Sequence, residues 1–325
     1  MAVYTHVPAE EIAAFLTRYD AGRLVSAKGI AEGVENSNYL LETTGVDGSG
    51  HRYILTLYEK RVDEADLPFF MDLLDHLGAR GCLVPRFIAD REGSRLQQLS
   101  GRPACLIEFL TGISVTEPTP GQARAAGVAL GELHKAAQGF AGERRNALDI
   151  AGWHDLAAKC GDDFDQIQPG LAARVAAELA FLDAHWPADL PRSVIHADLF
   201  PDNVLMLGEE VTGLIDFYFS CTDIRAYDLA VTHSAWCFSN DGATWYDARG
   251  AAIGAGYMEA HGLSEAEHAA FPILCRGAAL RFLLTRAYDW INTPADALVT
   301  RKDPLAYLRR LDFYASADPS ALLGQ

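Results

Sequence analysis

The sequence predicts an α+β fold of two lobes: a small antiparallel-sheet lobe over residues 1–109 and a larger helical lobe over 110–325. Three observations predict it. The first third of the chain carries short apolar and aromatic runs separated by glycine-rich turns, the pattern of hairpin strands. After Pro120 the apolar residues recur at helical spacing instead. The chain has 325 residues, half of them hydrophobic, which is enough for two lobes of ordinary domain size.

Residues 8–19 place Ile12, Phe15, Leu16 and Tyr19 at helical spacing, with Glu10 and Glu11 in the first turn. Strands follow over 23–26, 38–43 and 52–59. The last two are joined by Gly45-Val46-Asp47-Gly48-Ser49-Gly50, a hairpin connection whose glycines supply positive φ. Helical period returns over 67–77 and stops at Gly78 and Gly81. A further apolar strand, 104–110, ends at Thr111-Gly112. Helices are expected over 122–140, 171–185, 226–236 and 243–259. Residues 263–290 read as two helices broken near Pro272. Short strands between Val194 and Asp216 interrupt this helical lobe. Asp162-Asp163-Phe164-Asp165 reads as a solvated loop. A last helix near 304–314 either packs on its lobe or serves a dimer, and the oligomeric state is not legible.

The formal net charge of −17 argues against a nucleic-acid partner, whose footprint on a protein is basic. Six cysteines, at 82, 105, 160, 221, 237 and 275, show no C-x-x-C spacing and no companion histidine cluster, so they are expected to be reduced and mostly buried. No basic segment followed by an apolar run opens the chain, and no stretch approaches the length of a membrane span. The expectation is a soluble, cytoplasmic protein with no membrane partner.

The chemistry lies in Val194-Ile195-His196-Ala197-Asp198-Leu199-Phe200-Pro201-Asp202-Asn203-Val204-Leu205, followed by Gly213-Leu214-Ile215-Asp216-Phe217. Apolar residues before His196, after Asn203 and before Asp216 read as short buried strands. The polar residues therefore sit at strand ends and turns, where they can converge. An Asp, an Asn and a second Asp at these spacings suit phosphoryl transfer. Asp198 is the candidate base for a substrate hydroxyl, and Asn203 and Asp216 are the candidate Mg²⁺ ligands against the phosphates of ATP. A lone Asp after a buried strand is often a cap or a turn residue, but the full constellation favours a site. His196 is either a general base or, preferably, a structural group that hydrogen-bonds backbone. Asp202 either caps the next element or faces the substrate. Asp228 is expected to begin a helix and to hydrogen-bond the catalytic loop. ATP is an anion and the chain is acidic, so local cations and the metal must offset the net charge.

These residues resemble the protein-kinase-like superfamily in its aminoglycoside-phosphotransferase and choline-kinase branch. That branch carries H-x-D-x-x-x-x-N and then I-D-[FW], here His196, Asp198, Asn203 and Ile215-Asp216-Phe217. Phe200 stands where serine/threonine protein kinases have a catalytic-loop lysine. Tyr218 replaces the glycine of D-F-G, and no A-P-E follows. The resemblance therefore implies a small-molecule substrate. Gly33-Val34-Glu35-Asn36-Ser37-Asn38-Tyr39, Leu55-Thr56-Leu57-Tyr58-Glu59, the run from His196 to Asn203, and Arg281-Phe282-Leu283-Leu284-Thr285-Arg286-Ala287-Tyr288-Asp289-Trp290 are similar to the homoserine kinases of the phosphotransferase-like type. The likeness runs over nearly the whole chain.

The resemblance implies a two-lobed kinase fold in which the lobe 1–109 binds nucleotide and the lobe 110–325 carries catalysis and substrate. It implies ATP-dependent phosphorylation of the side-chain hydroxyl of L-homoserine, with Mg²⁺, in threonine biosynthesis. Phosphate cover is expected from the backbone around Gly33, Asn36, Ser37 and Asn38. The backbone of Glu108-Phe109-Leu110 is expected to read adenine. Thr56 stands where the superfamily usually has a phosphate-binding lysine, and Lys60, Arg61 or Lys28 would supply the charge instead. Arg281 and Arg286 are expected to bind the substrate carboxylate. They lie about 140° apart on a helical wheel, so one is expected to pair with a core carboxylate such as Asp289 while the other reaches the substrate. The resemblance favours Arg281 for the substrate. Two alternatives stay open: a kinase for an amino alcohol or aminoglycoside, and a nucleotide-binding pseudokinase, which the missing strand lysine keeps in view.

Overall fold

The computed structural model describes residues 5–30, 36–59, 63–293 and 301–324. It divides into two compact units, Met1–Thr111 and Gly112–Gln325. The first unit runs α1 (Ala9–Leu16), β1 (Arg23–Ile30), β2 (Asn36–Thr44), β3 (Gly50–Tyr58), α2 (Leu67–Gly78), β4 (Phe87–Ile88), β5 (Gln97–Leu99) and β6 (Arg102–Glu108). Its strands form one antiparallel sheet in the order β1-β2-β3-β6-β4, with β5 paired to β6. Alternate residues of a strand face one side, so Tyr39 and Leu41 of β2 and Leu55 and Leu57 of β3 turn inward together. They bury Ile12, Phe15 and Leu16 of α1, and Tyr19 just beyond it, in one core. The Tyr39 hydroxyl ties the entering chain to this sheet, accepting from Val7 N–H and donating to the Thr5 carbonyl. The register sets Asn38 opposite Thr56 and Tyr53 opposite Glu108.

The second unit runs α3 (Pro120–Ala136), α4 (Ile150–Cys160), α5 (Phe164–Ile167), α6 (Leu171–His185), β7 (Arg192–Ile195), β8 (Val204–Leu207), β9 (Glu210–Leu214), β10 (Cys221–Ile224), α7 (Arg225–Trp236), α8 (Asp247–Ala260), α9 (Glu265–Asn292) and α10 (Leu305–Ser316). Two antiparallel ribbons, β7 with β10 and β8 with β9, present the loops between them. Helices α3 and α8 approach closely. A Cβ on Gly127 would stand 2.3 Å from the Ile253 carbonyl oxygen, and one on Gly256 would stand 2.2 Å from that of Arg124. This approach brings His134 at the end of α3 to Tyr257 on α8.

Two expectations change here. Residues 263–290 do not form two helices; α9 is one helix of 28 residues with Pro272 inside it. Proline removes one helical donor. The Ser264/Glu267 capping box and the burial of Phe271, Leu274 and Cys275 carry the helix through it. The stretch 162–165 is not a solvated loop but a 3-10 turn leading into α5, because Phe164 is buried at 2% exposure and anchors it. Helix α4, unread in the sequence, starts on an Asp149 cap accepting from Gly152 N–H. None of the six cysteines forms a disulfide, and five of them are buried. Among the described residues no helix is long and apolar enough to cross a membrane.

Candidate active site

Strand β7 ends at Ile195, and residues 196–200 lead into a 3-10 turn, Pro201–Asn203, before β8. The backbone of this loop is held at nearly every polar group. Asp228, in the first turn of α7, accepts from His196 N–H and from Ala197 N–H, each at 2.7 Å. The Ala197 carbonyl accepts from the Arg281 guanidinium. Asp198 N–H donates to His196 Nδ1 at 3.2 Å, and Trp236 Nε1 donates to the Leu199 carbonyl at 2.9 Å. Asn203 Nδ2 donates to the Asp198 carbonyl at 2.8 Å and to its Oδ2 at 3.3 Å. The Asp198 carboxylate is half-buried on a loop that has little freedom to move.

His196 is fully buried. Its Nδ1 accepts from Asp198, so its proton sits on Nε2, which donates to the Ile215 carbonyl at 3.0 Å. Burial lowers its pKa, and the ring is neutral. Ile215 N–H in turn donates to the Asn203 carbonyl at 3.0 Å. His196 therefore ties the Asp198 loop to the turn that carries Asp216, the arrangement of a structural group. Asp216 itself takes left-handed φ 64°, ψ 61°, and is exposed. Asp tolerates that conformation better than most residues.

Asp228 is completely buried and also takes a bond from His134 Nε2 at 3.0 Å, while His134 Nδ1 meets the Tyr257 hydroxyl at 2.8 Å. Burial pushes the Asp228 carboxyl up. The bonds from His134 and the His196 amide outweigh it and hold the group below the usual carboxylate range. His134, Tyr257 and Trp236 escaped the sequence reading. Each lies far along the chain from the loop, and no local pattern marks them.

The metal candidates fit a magnesium ion. The Asn203 amide is oriented by its two bonds to Asp198, which leaves its carbonyl oxygen as a ligand. Asp216 adds one exposed carboxylate. Among the described residues no group of three or more His, Cys, Asp or Glu could cage a metal. Mg²⁺ keeps several waters and takes one or two carboxylates with phosphate oxygens, so a small protein donor set suits it.

The two arginines part company. Arg281 is 1% exposed, and its guanidinium is directed at the Ala197 carbonyl, with the Phe282 ring centroid at 4.6 Å and that of Phe219 at 5.5 Å. It was expected to reach substrate, but its depth in the core turns it to the loop instead. Arg286 is half-exposed, donates to the Asp303 carbonyl at 3.1 Å and lies 4.5 Å from the Tyr307 ring centroid. Burial lowers its pKa, and the exposed Asp202 nearby works in the opposite direction. Among the described residues neither arginine has a carboxylate within ion-pair distance, so the expected pairing with Asp289 is not formed.

In the first unit, Thr56 is 2% exposed and donates to Asn38 Oδ1 at 2.7 Å. Ser37 donates to Glu59 at 2.8 Å, and Asn36 Oδ1 accepts from Glu59 N–H at 3.4 Å. Glu108 pairs with Arg86 at 3.1 Å, and Phe109 receives the Arg52 guanidinium at 5.7 Å. Leu110 follows in the half-buried chain leaving β6. Lys28 is exposed on β1, whereas Gly33, Lys60 and Arg61 lie outside the described residues.

The small antiparallel sheet, the helical unit and the loop with Asp198, Asn203 and Asp216 are those of a phosphotransferase with a protein-kinase-like fold. The amicoumacin kinase hAmiN, solved in complex with AMP-PNP, Ca²⁺ and Ami, shares the fold with a TM-score of 0.72 at 16% identity, covering 96% of this chain and 95% of that one. Residues 26–263 match the phosphotransferase enzyme family. The chain is 55% identical to a homoserine kinase of Zymomonas mobilis over 324 residues, 99% of each protein. It is 52% identical to one of Allorhizobium ampelinum, covering 100% of this chain and 99% of that protein. The chain belongs to the phosphotransferase enzyme family and, within it, to the homoserine kinases.

Proposed function

We infer that this protein transfers the γ-phosphoryl group of ATP to the side-chain hydroxyl of L-homoserine, giving O-phospho-L-homoserine and ADP, in the threonine pathway of the cytoplasm. The observation that carries this reading is the 55% identity to a homoserine kinase along 99% of both proteins. The geometry supplies the chemistry. Asp198 orients the substrate hydroxyl and accepts its proton as the oxygen bonds to the γ-phosphorus and the bond to the β-γ bridging oxygen breaks, with the electron pair leaving on ADP. Asn203 and Asp216 would hold Mg²⁺, which neutralises charge on the phosphates. His196 and Asp228 fix the loop and take no part in proton transfer. We assign nucleotide contact to the first unit, at Gly33, Asn36, Ser37, Asn38 and Thr56, with adenine read by the backbone of Glu108, Phe109 and Leu110.

A zwitterionic amino acid needs one anion and one cation. Exposed Asp202 and half-exposed Arg286 supply them, for the ammonium and the carboxylate respectively. Arginine meets a carboxylate with a two-pronged fork that lysine lacks. ATP turnover over homoserine, an amino alcohol without the carboxylate and an aminoglycoside tests the reading. Homoserine should be preferred, and Arg286→Lys should raise KM for homoserine by about tenfold or more while leaving KM for ATP within about twofold. Preference for either of the other acceptors would overturn the substrate assignment.

A further inference from the structure

Arg281 poses a problem that the substrate site does not solve. Its side chain is 1% exposed, so no substrate reaches it. Among the described residues no carboxylate lies within ion-pair distance of it, and its Nε has no hydrogen-bond partner. An unpaired buried charge is unfavourable, and buried arginines ordinarily answer a carboxylate. This one donates to a main-chain oxygen, that of Ala197, and the Tyr227 hydroxyl lies beside it.

Ala197 is itself unusual. Its φ is +63°, one of three positive values among described non-glycine residues. An L-residue with a Cβ pays for that conformation, and here it occurs immediately before the candidate base Asp198. The residue is clamped from both sides. Its N–H is held by the Asp228 carboxylate at 2.7 Å and its carbonyl by the Arg281 guanidinium. The anion comes from α7 and the cation from α9, two packed helices. The Arg281 guanidinium also lies 5.5 Å from the ring of Phe219, in the 3-10 turn that begins just after Asp216. The next residue, Phe282, meets Phe200 of the loop edge to face with centroids 4.9 Å apart. One point on α9 thus touches both segments that carry the candidate catalytic and metal-holding side chains.

We propose that Arg281 is a positioning residue for phosphoryl transfer, holding the Ala197 carbonyl so that the residue before Asp198 keeps its left-handed turn and the Asp198 carboxylate keeps its place. The proposal rests on Asp198 being the base. It assigns Arg281 no contact with homoserine or ATP.

The test uses the full chain with Arg281→Met, Arg281→Lys and Arg281→Met combined with Ala197→Gly. Steady-state kinetics are read beside hydrogen–deuterium exchange of the peptide spanning 194–203. In Arg281→Met, kcat should fall by about 100-fold, the order expected when a catalytic group is displaced by about an ångström. KM for homoserine and for ATP should stay within about threefold, since uniform binding is untouched. Exchange in 194–203 should quicken while the amides of α9 stay protected. Arg281→Lys keeps a cationic donor and should recover about tenfold of the lost kcat. Glycine enters the left-handed region without a Cβ penalty, so Ala197→Gly in the Arg281→Met background should recover about fivefold or more. A raised KM for homoserine at unchanged kcat would make Arg281 a substrate ligand and overturn the proposal. So would unchanged exchange in 194–203, or a loss of protection throughout the unit that neither Arg281→Lys nor Ala197→Gly relieves. If the wild-type protein does not phosphorylate homoserine, the proposed function fails, and the exchange measurement decides the Arg281 assignment by itself.

Discussion

Replacing Asp228 should damage both stability and turnover, and the geometry gives the scale. The carboxylate is fully buried and accepts three donors: His196 N–H and Ala197 N–H at 2.7 Å and His134 Nε2 at 3.0 Å. Asp228→Ala strands all three. Each buried donor left without an acceptor costs about 1–3 kcal/mol. Some relief comes from water entering the space, so the loss should be about 3–6 kcal/mol. Domains of this kind hold about 5–15 kcal/mol in total, so the alanine variant should be barely folded. Asp228→Asn is the more informative change. It keeps the shape and one acceptor oxygen but turns an amide NH₂ toward a donor, for a loss of about 2–3 kcal/mol. The freed loop should also lower kcat by about 100-fold. Urea denaturation at pH 7, followed by circular dichroism, reads the first effect and steady-state turnover the second. An Asp228→Asn protein with wild-type midpoint and wild-type kcat would refute the view that this carboxylate holds the loop.

Asp216→Ala should raise the Mg²⁺ concentration needed for turnover more than Asn203→Ala does, because a carboxylate neutralises the ion and an amide only ligates it. A titration of Mg²⁺ at fixed ATP checks this, and an unchanged requirement in both variants would contradict the metal assignment. Stability should also fall with pH through His233, which bonds the Tyr314 hydroxyl and the Leu322 carbonyl and whose pKa burial depresses from 6.5 to about 4. The unfolded chain takes up this proton first. The contribution is therefore complete above pH 6.5 and is lost as pH falls toward about 4, by about 3 kcal/mol over that window. The urea midpoint should decline from pH 7 to pH 5 and decline less in His233→Gln, whereas equal slopes would show that another group dominates.

The loop 196–203 and the turn at Asp216 were legible because their chemistry is local. A histidine, two aspartates and an asparagine at short spacing between apolar runs identify themselves. The β2–β3 hairpin was legible for the same reason, its glycines marking the turn. Groups assembled from distant segments were not. Tyr257 meets His134 because glycines let α3 and α8 approach closely, His134 in turn meets Asp228 of α7, and no pattern within any of these helices announces those meetings. Arg281 was misplaced for a different reason. A helical wheel gives direction around the axis but not depth, and depth separates it from Arg286. Pro272 was read as a break because the penalty at one peptide is visible in the sequence and the burial of the surrounding apolar side chains is not. Strands β4 and β5 are only 2 and 3 residues long, too short to show alternation.

The central claim is that this chain phosphorylates homoserine with Asp198 as the base. Phosphorus NMR of the purified protein with ATP, Mg²⁺ and L-homoserine tests it most directly, because it sees the product rather than ATP loss. The wild-type protein should give a phosphomonoester resonance matching O-phospho-L-homoserine, growing in step with ADP. Asp198→Asn should slow its appearance by about 10²–10⁴-fold while binding Mg·ATP nearly as well. ADP formation without that resonance, or an Asp198→Asn protein that makes the ester at the wild-type rate, would contradict the account.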